Sequence, residues 1–319
     1  MPVSYLKKAT SRFLNMRALK KHHSKMGWRD APRYTSYLRS CQKAFVGDLP
    51  EPQIYGKLAG EFNKEASVSV WDENLEAVAN QMFKRICDWE EQGQDLWLVP
   101  DGPLLGSHQG YVGDVWKDFP ELEEAFRGSF GSLLMNIYKA NYKIFYASLV
   151  KSVGTELNAT GSQQWHSDGG PGSCVIIAMY LHPTDETSGC LQTLPWNASL
   201  EIFGQEHGRD AIVKSRYAAE NNVRIADIDK LTLRNLRHKY YDDLIQENFR
   251  DQIRMPFGKA GSSVLFRNNT LHRGGHPELG KQRYALLIHC YPAEVAPPFH
   301  KYREQGLKKT AGYPADPGF

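Results

Sequence analysis

The 319-residue sequence has few cysteines, no long apolar run and no internal repetition. Its five cysteines (41, 87, 174, 190 and 290) are odd in number, widely spaced and free of any CxxC pair. That argues against a disulfide framework and predicts reduced, mostly buried thiols in a cytoplasmic protein. The longest apolar runs, such as 174–181, fall far short of the roughly 20 residues that cross a bilayer. The basic start lacks the apolar stretch of a secretory signal, though a basic, acid-poor beginning leaves an organelle presequence open. No low-complexity segment interrupts the chain.

A net charge of +3 says little, but its distribution says more. Residues 1–33 hold nine Lys or Arg and one acid, Asp30, leaving 30 basic and 35 acidic side chains for the rest. The body is therefore acidic and the arm strongly basic. Such an arm suits a solvated or docking helix, and after that an anionic partner such as a phosphorylated substrate, a CoA ester or a lipid surface. Nucleic acid is not expected, because aromatic residues are sparse in the arm and no reader motif is present.

With 41% apolar residues, the chain has enough for one large domain or two small ones. Leu6, Ala9, Phe13 and Met16 fall at helical spacing, so the arm over 4–26 reads as an amphipathic helix. Segments 71–93 and 119–127 also read as helices, with loops and a short strand between them. The first 130 residues are thus expected to be largely helical. From about 133 the pattern changes to short β-rich runs bounded by turn residues: "NYKIFYASLV", "CVIIAMYLHP", "GCLQTLPW", "SSVLFRNN" and "RYALLIHCYP". These predict a sandwich or barrel over 133–292. A charged, helical insertion over about 197–257 interrupts it, as expected of a lid, a substrate wall or an oligomer surface.

The chemistry concentrates in "WHSDGGPG", residues 165–172. On a strand, His166 and Asp168 point to one face and can converge on a single ion. Alone, the pair is more simply a polar strand end. A third donor, His272, stands at the end of "SSVLFRNNTLHRGGH". Two histidines and a carboxylate form the facial triad of non-haem Fe(II) oxygenases, which leaves positions open for a chelating 2-oxo acid and O₂. His276, four residues on, is the weaker rival because it precedes Pro277 in a loop. Arg283 lies 11 positions after His272 on a strand face shared with Ala285, Leu287 and His289. An inward arginine needs an anion, and a carboxylate fits its fork.

H-x-D at 166–168, His272 in "LHRGG", Arg283 in "RYALLIHCYP" and the segment "TDETSGCLQTLPWNAS" together resemble the Fe(II)/2-oxoglutarate-dependent oxygenases, specifically the phytanoyl-CoA dioxygenase-like branch. The resemblance spans roughly residues 140–292. It implies a mostly β fold with flanking helices, a double-stranded β-helix (jelly roll, cupin-like). It implies Fe(II) held by His166, Asp168 and His272, with 2-oxoglutarate chelating through its C1 carboxylate and C2 ketone and Arg283 holding the far carboxylate. It further implies consumption of O₂, release of succinate and CO₂, and oxidation of a substrate C–H bond, hydroxylation being the default outcome. Asp168 argues against halogenation, since halogenases of this class carry a small residue there. One departure stands out. Where the branch often has Ser or Thr two residues after the distal histidine, this chain has Gly274. Thr193 or a tyrosine could supply that hydroxyl. Gln163, Gln164 and Asn158 are candidates to bond the C1 carboxylate, and Thr193 and Trp196 lie on a segment expected to line the pocket.

The expected substrate is a small metabolite or a lipid-like amphiphile, and its identity is open. The same ligands serve hydroxylation, desaturation and ring closure. The reading from another class is a non-catalytic jelly-roll binding protein.

Overall fold

The computed structural model describes residues 32–98, 108–156, 161–168, 174–205 and 209–306. The arm helix expected over 4–26, Asn158, and glycines 169, 170 and 172 lie outside the described residues.

A seven-stranded antiparallel sheet forms the body of the fold. Its strands are β1 (Ser67–Val70), β2 (Trp97–Leu98), β3 (His108–Tyr111), β4 (Asn141–Val153), β5 (Val175–Tyr180), β7 (Ser263–Arg267) and β9 (Gln282–Ala293). They run in the order β1-β7-β5-β9-β4-β3-β2. A small sheet pairs β6 (Leu191–Thr193) with β8 (His272–Gly274), and single bridges from His166 to His272 and from Thr193 to Arg254 widen it. Two facing antiparallel sheets with such long crossings between them make the jelly roll the resemblance implies. The first 130 residues are less purely helical than expected, because β1, β2 and β3 join the large sheet from within them.

Alternation along the strands divides the molecule into layers. On β9, Tyr284, Leu286, Ile288 and Cys290 enter the main apolar core, while Arg283, Ala285, Leu287 and His289 face an internal cavity. On β5, Val175, Ile177 and Met179 face the core, and Ile176, Ala178 and Tyr180 face the cavity. Helices cover the core side: α1 (Pro32–Ala44), α2 (Tyr55–Glu65), α3 (Glu73–Glu91), α4 (Val115–Asp118), α5 (Leu122–Arg127) and α6 (Ser129–Tyr138). The expected helix over 71–93 is α3, started by Asp72, whose carboxylate accepts from the Leu75 N–H at 2.8 Å. The expected helix over 119–127 is the shorter α5, with α4 a separate turn of helix before it, and α6 occupies the point where strands were expected to begin. Residues of α6 are buried around most of its circumference, so no polar face marks it as a helix in the sequence.

The insertion forms α7 (Trp196–Gln205), α8 (Arg209–Asn221) and α9 (Lys230–Asn248). Ala198, Ile202, Phe203, Tyr241, Ile245 and Phe249 pack there against Trp165, Leu194 and Leu271, making a second core behind the small sheet. Among the described residues, no part of the insertion lines the cavity. The described cysteines are free thiols, four of them buried. No described helix is long and apolar enough to cross a membrane.

Candidate metal centre and anion pocket

The cavity between the sheets has a volume of about 280 Å³. Apolar side chains make most of its wall, among them Val150, Ile176, Leu191, Phe266 and Leu287. His166, Asp168, His272 and Arg283 all reach it.

The backbone explains how residues so distant in sequence meet. His166 and His272 exchange both backbone hydrogen bonds, at 3.0 and 2.9 Å, so they form a cross-strand pair with rings 4.3 Å apart. The Asp168 N–H donates to the Asn268 carbonyl at 2.9 Å, which ties the carboxylate's chain to the same β7–β8 turn. Asp168 Oδ1 lies 3.7 Å from His166 Nε2, and Asp168 Oδ2 lies 3.9 Å from His272 Nε2. The three donor atoms are all within 4.8 Å of one another.

Both imidazoles are held in one tautomer. His166 Nδ1–H donates to the Gln164 carbonyl at 2.7 Å, and His272 Nδ1–H donates to the Thr270 carbonyl at 2.9 Å. A carbonyl only accepts, so the proton is on Nδ1 and each Nε2 lone pair is left for the ion. Two imidazole Nε2 atoms and one carboxylate on one side of an apolar cavity suit a divalent ion with open coordination positions, Fe(II) above all.

Arg283 is the second charged feature. It is 5% exposed, and its Nη2 donates to Ser152 Oγ at 3.1 Å. Among the described residues, its Nε and Nη1 have no hydrogen-bond partner and no carboxylate forms an ion pair with it. Burial lowers its pKa, with Tyr180 and Cys190 acting the other way. A buried guanidinium without a counter-charge is costly by several kcal/mol, and the Arg283 side of the cavity suits an anion. Gly274 fixes the location: a Cβ there would stand 3.4 Å from Arg283 Nη2. Gly274 is two residues beyond His272, which is ~7 Å of strand.

The other anticipated residues are placed differently. Thr193 is buried with its hydroxyl 3.4 Å from that of Ser67, and it does not line the cavity. Trp196 packs on the second core instead. Gln163 is buried, and its neighbour Ser162 is the residue that reaches the cavity. His276 bonds the Thr155 carbonyl at 3.0 Å, away from the triad. Trp165 belongs to the second core, under the Arg273 guanidinium. His289 lines the cavity, with Nδ1 3.9 Å from Cys174 Sγ. His108, Ser162 and Tyr180 line the cavity without having been anticipated, and Ser152 holds Arg283. A row of cross-strand partners was the only signal for His108 and Ser152, and it needs the sheet register to be read.

No protein-family model matches this sequence, and no curated protein matches it. Among solved structures, the fold is similar to the non-haem alpha-ketoglutarate-dependent epimerase SnoN from nogalamycin biosynthesis, at 12% identity, TM-score 0.49, 76% of this chain and 84% of that one. It is also similar to EctD from S. alaskensis with 2-oxoglutarate and 5-hydroxyectoine, at 15% identity, TM-score 0.48, 86% of this chain and 89% of that one. A third similar structure is the alpha-ketoglutarate-dependent carbocyclase SnoK, at 14% identity, TM-score 0.45, 74% and 83%. Identity this low leaves the chemistry of this chain to its own side chains.

Proposed function

We propose that the protein is an Fe(II)- and 2-oxoglutarate-dependent dioxygenase that oxidises an unactivated C–H bond of a small-molecule or amphiphilic substrate. The observation that carries this is the pairing, in one cavity, of the His166–Asp168–His272 triangle with the buried Arg283, whose Nε and Nη1 have no partner among the described residues. A five-carbon dicarboxylate is long enough to touch both. When bound, iron and 2-oxoglutarate supply the O₂ chemistry that gives succinate, CO₂ and an oxidised substrate.

The chain's own residues supply placement and dryness. Nδ1 hydrogen bonds keep the two Nε2 lone pairs free and aimed. Arg283 orients the cosubstrate by a forked pair with its distal carboxylate. Val150, Ile176, Leu191, Phe266 and Leu287 keep water from the reacting atoms. Leu287 and His289 extend the cavity wall along β9 beyond Ala285, away from Arg283, and the substrate is proposed to sit at that end. Hydroxylation is the default outcome; ring closure and desaturation would use the same ligands.

The test is anaerobic addition of Fe(II) and 2-oxoglutarate. A weak visible charge-transfer band is expected for the wild type and none for Asp168→Ala. A wild type with neither the band nor a 2-oxoglutarate-dependent thermal shift would end the oxygenase reading and favour a binding protein. Screening substrates for stimulated succinate formation then identifies the acceptor.

A further inference from the structure

The anion end of the cavity contains more than Arg283. His108 on β3, Ser152 on β4 and Arg283 on β9 are direct cross-strand partners, one row across three adjacent strands. Ser152 is fully buried and accepts from Arg283 Nη2 at 3.1 Å. Its own proton must go elsewhere, because a guanidinium accepts nothing. The acceptor within reach is His108 Nδ1, 3.4 Å from Ser152 Oγ. An imidazole that accepts at Nδ1 carries its proton on Nε2. His108 also lines the cavity. Its imidazolium is disfavoured first by burial and then by the Arg283 charge, so the ring is neutral at ordinary pH.

The opposite wall makes this placement matter. The side chain at 274 is absent, and Arg283 Nη2 is already engaged by Ser152. A carboxylate forked onto Arg283 can still accept from one more donor, and with glycine at 274 no hydroxyl from that position can provide it.

We infer that His108 is a binding residue for the distal carboxylate of the dicarboxylate cosubstrate, its Nε2–H set by Ser152 and donating to the anion that Arg283 pairs. This rests on the 2-oxoglutarate reading above. It makes His108 a selectivity residue: it distinguishes 2-oxo acids that carry a second carboxylate from those that do not.

The experiment measures binding, not turnover, on the full chain loaded anaerobically with Fe(II). Dissociation constants are determined by calorimetry for 2-oxoglutarate and for 2-oxobutyrate, which keeps the chelating end and lacks the distal carboxylate. His108→Phe should raise the 2-oxoglutarate constant about tenfold, the size expected for losing a hydrogen bond to a charged group. The 2-oxobutyrate constant should stay within about twofold by the same reasoning, since no bond to it is lost. Ser152→Ala, which frees the histidine tautomer, should give a smaller loss confined to 2-oxoglutarate. It also decides the matter alone if His108→Phe does not fold. Unchanged 2-oxoglutarate binding in the variants, or equal weakening of both acids, overturns the role of His108 and leaves the oxygenase reading intact. A wild type that binds neither acid overturns both.

Discussion

At the scale of single residues, charge without a partner is the most informative feature. Arg283 is buried with two donors unused, and it lines a cavity that also holds a three-donor metal triangle. Arg283→Ala should therefore weaken 2-oxoglutarate by at least about 30-fold, as truncation of a buried charge pair does. Fe(II) affinity, measured separately without cosubstrate, should be nearly unchanged. Equal loss of both would mean that Arg283 acts on the fold and not on the anion. His108 gives a second prediction, in pH. Its pKa falls from 6.5 to about 4 on folding, by burial first and by Arg283 second. Between those values the unfolded chain takes up a proton that the folded chain refuses. The stability this residue contributes is thus complete at pH 7 and is lost on acidification through that window. His108→Phe should flatten the acid side of a plot of melting temperature against pH, measured without ligand. Parallel curves for the two proteins would show that His108 is not buried as neutral imidazole.

At the scale of elements, α9 reaches both segments that carry the candidate histidine ligands. His238 Nδ1–H donates to the carbonyl of Trp165, the residue before His166, at 3.0 Å. One turn further, Asp242 pairs with Arg273, the residue after His272, at 3.2 Å. Arg273 in turn covers the Trp165 ring and bonds Gln192 at 2.8 Å. Burial works against the Arg273 charge and Asp242 supports it. Asp242→Ala should let β8 shift and weaken Fe(II) about tenfold, the low end for losing a group that orients metal ligands. Asp227→Ala, which breaks an exposed pair with Arg224, should leave Fe(II) binding alone. Similar effects from the two variants would count against α9 as a support of the metal ligands. The elements also show what a sequence can disclose. His166, Asp168, His272 and Arg283 could be singled out because H-x-D stands beside a glycine-rich turn, while His272 and Arg283 follow or lie in β-rich runs at a fixed spacing. The insertion was legible as helical, but its position behind the small sheet was not, since its apolar residues specify burial without naming the surface they cover. His108 and Ser152 were hidden for another reason: their relation is a register between β3, β4 and β9, and single strands do not encode it.

At the scale of the whole molecule, the site is shared between two sheets with separate cores. His272 and its bridged partner His166 belong to the small sheet, backed by the second core. Arg283 and the apolar wall of β5 and β9 belong to the large sheet, backed by the main core. Damage to the two cores should therefore be separable by ligand. Met82 on α3 and Ile245 on α9 are both fully buried, one in each core. Truncating either to Ala should cost about 2–4 kcal/mol, measured by urea unfolding without metal. A ligand that binds only the folded state adds stability in proportion to the logarithm of its concentration over its dissociation constant. Met82→Ala should thus keep the full stabilisation by Fe(II) seen in the wild type, because its core does not touch the metal ligands. Ile245→Ala should lose part of it, because the helix that orders Trp165 and Arg273 is then loosened against the small sheet. Adding 2-oxoglutarate, which would join the iron on one sheet to Arg283 on the other, should recover more stability in Met82→Ala than in Ile245→Ala. If both variants gain equally from Fe(II), the metal centre draws on the whole fold and the division into two supporting cores is wrong.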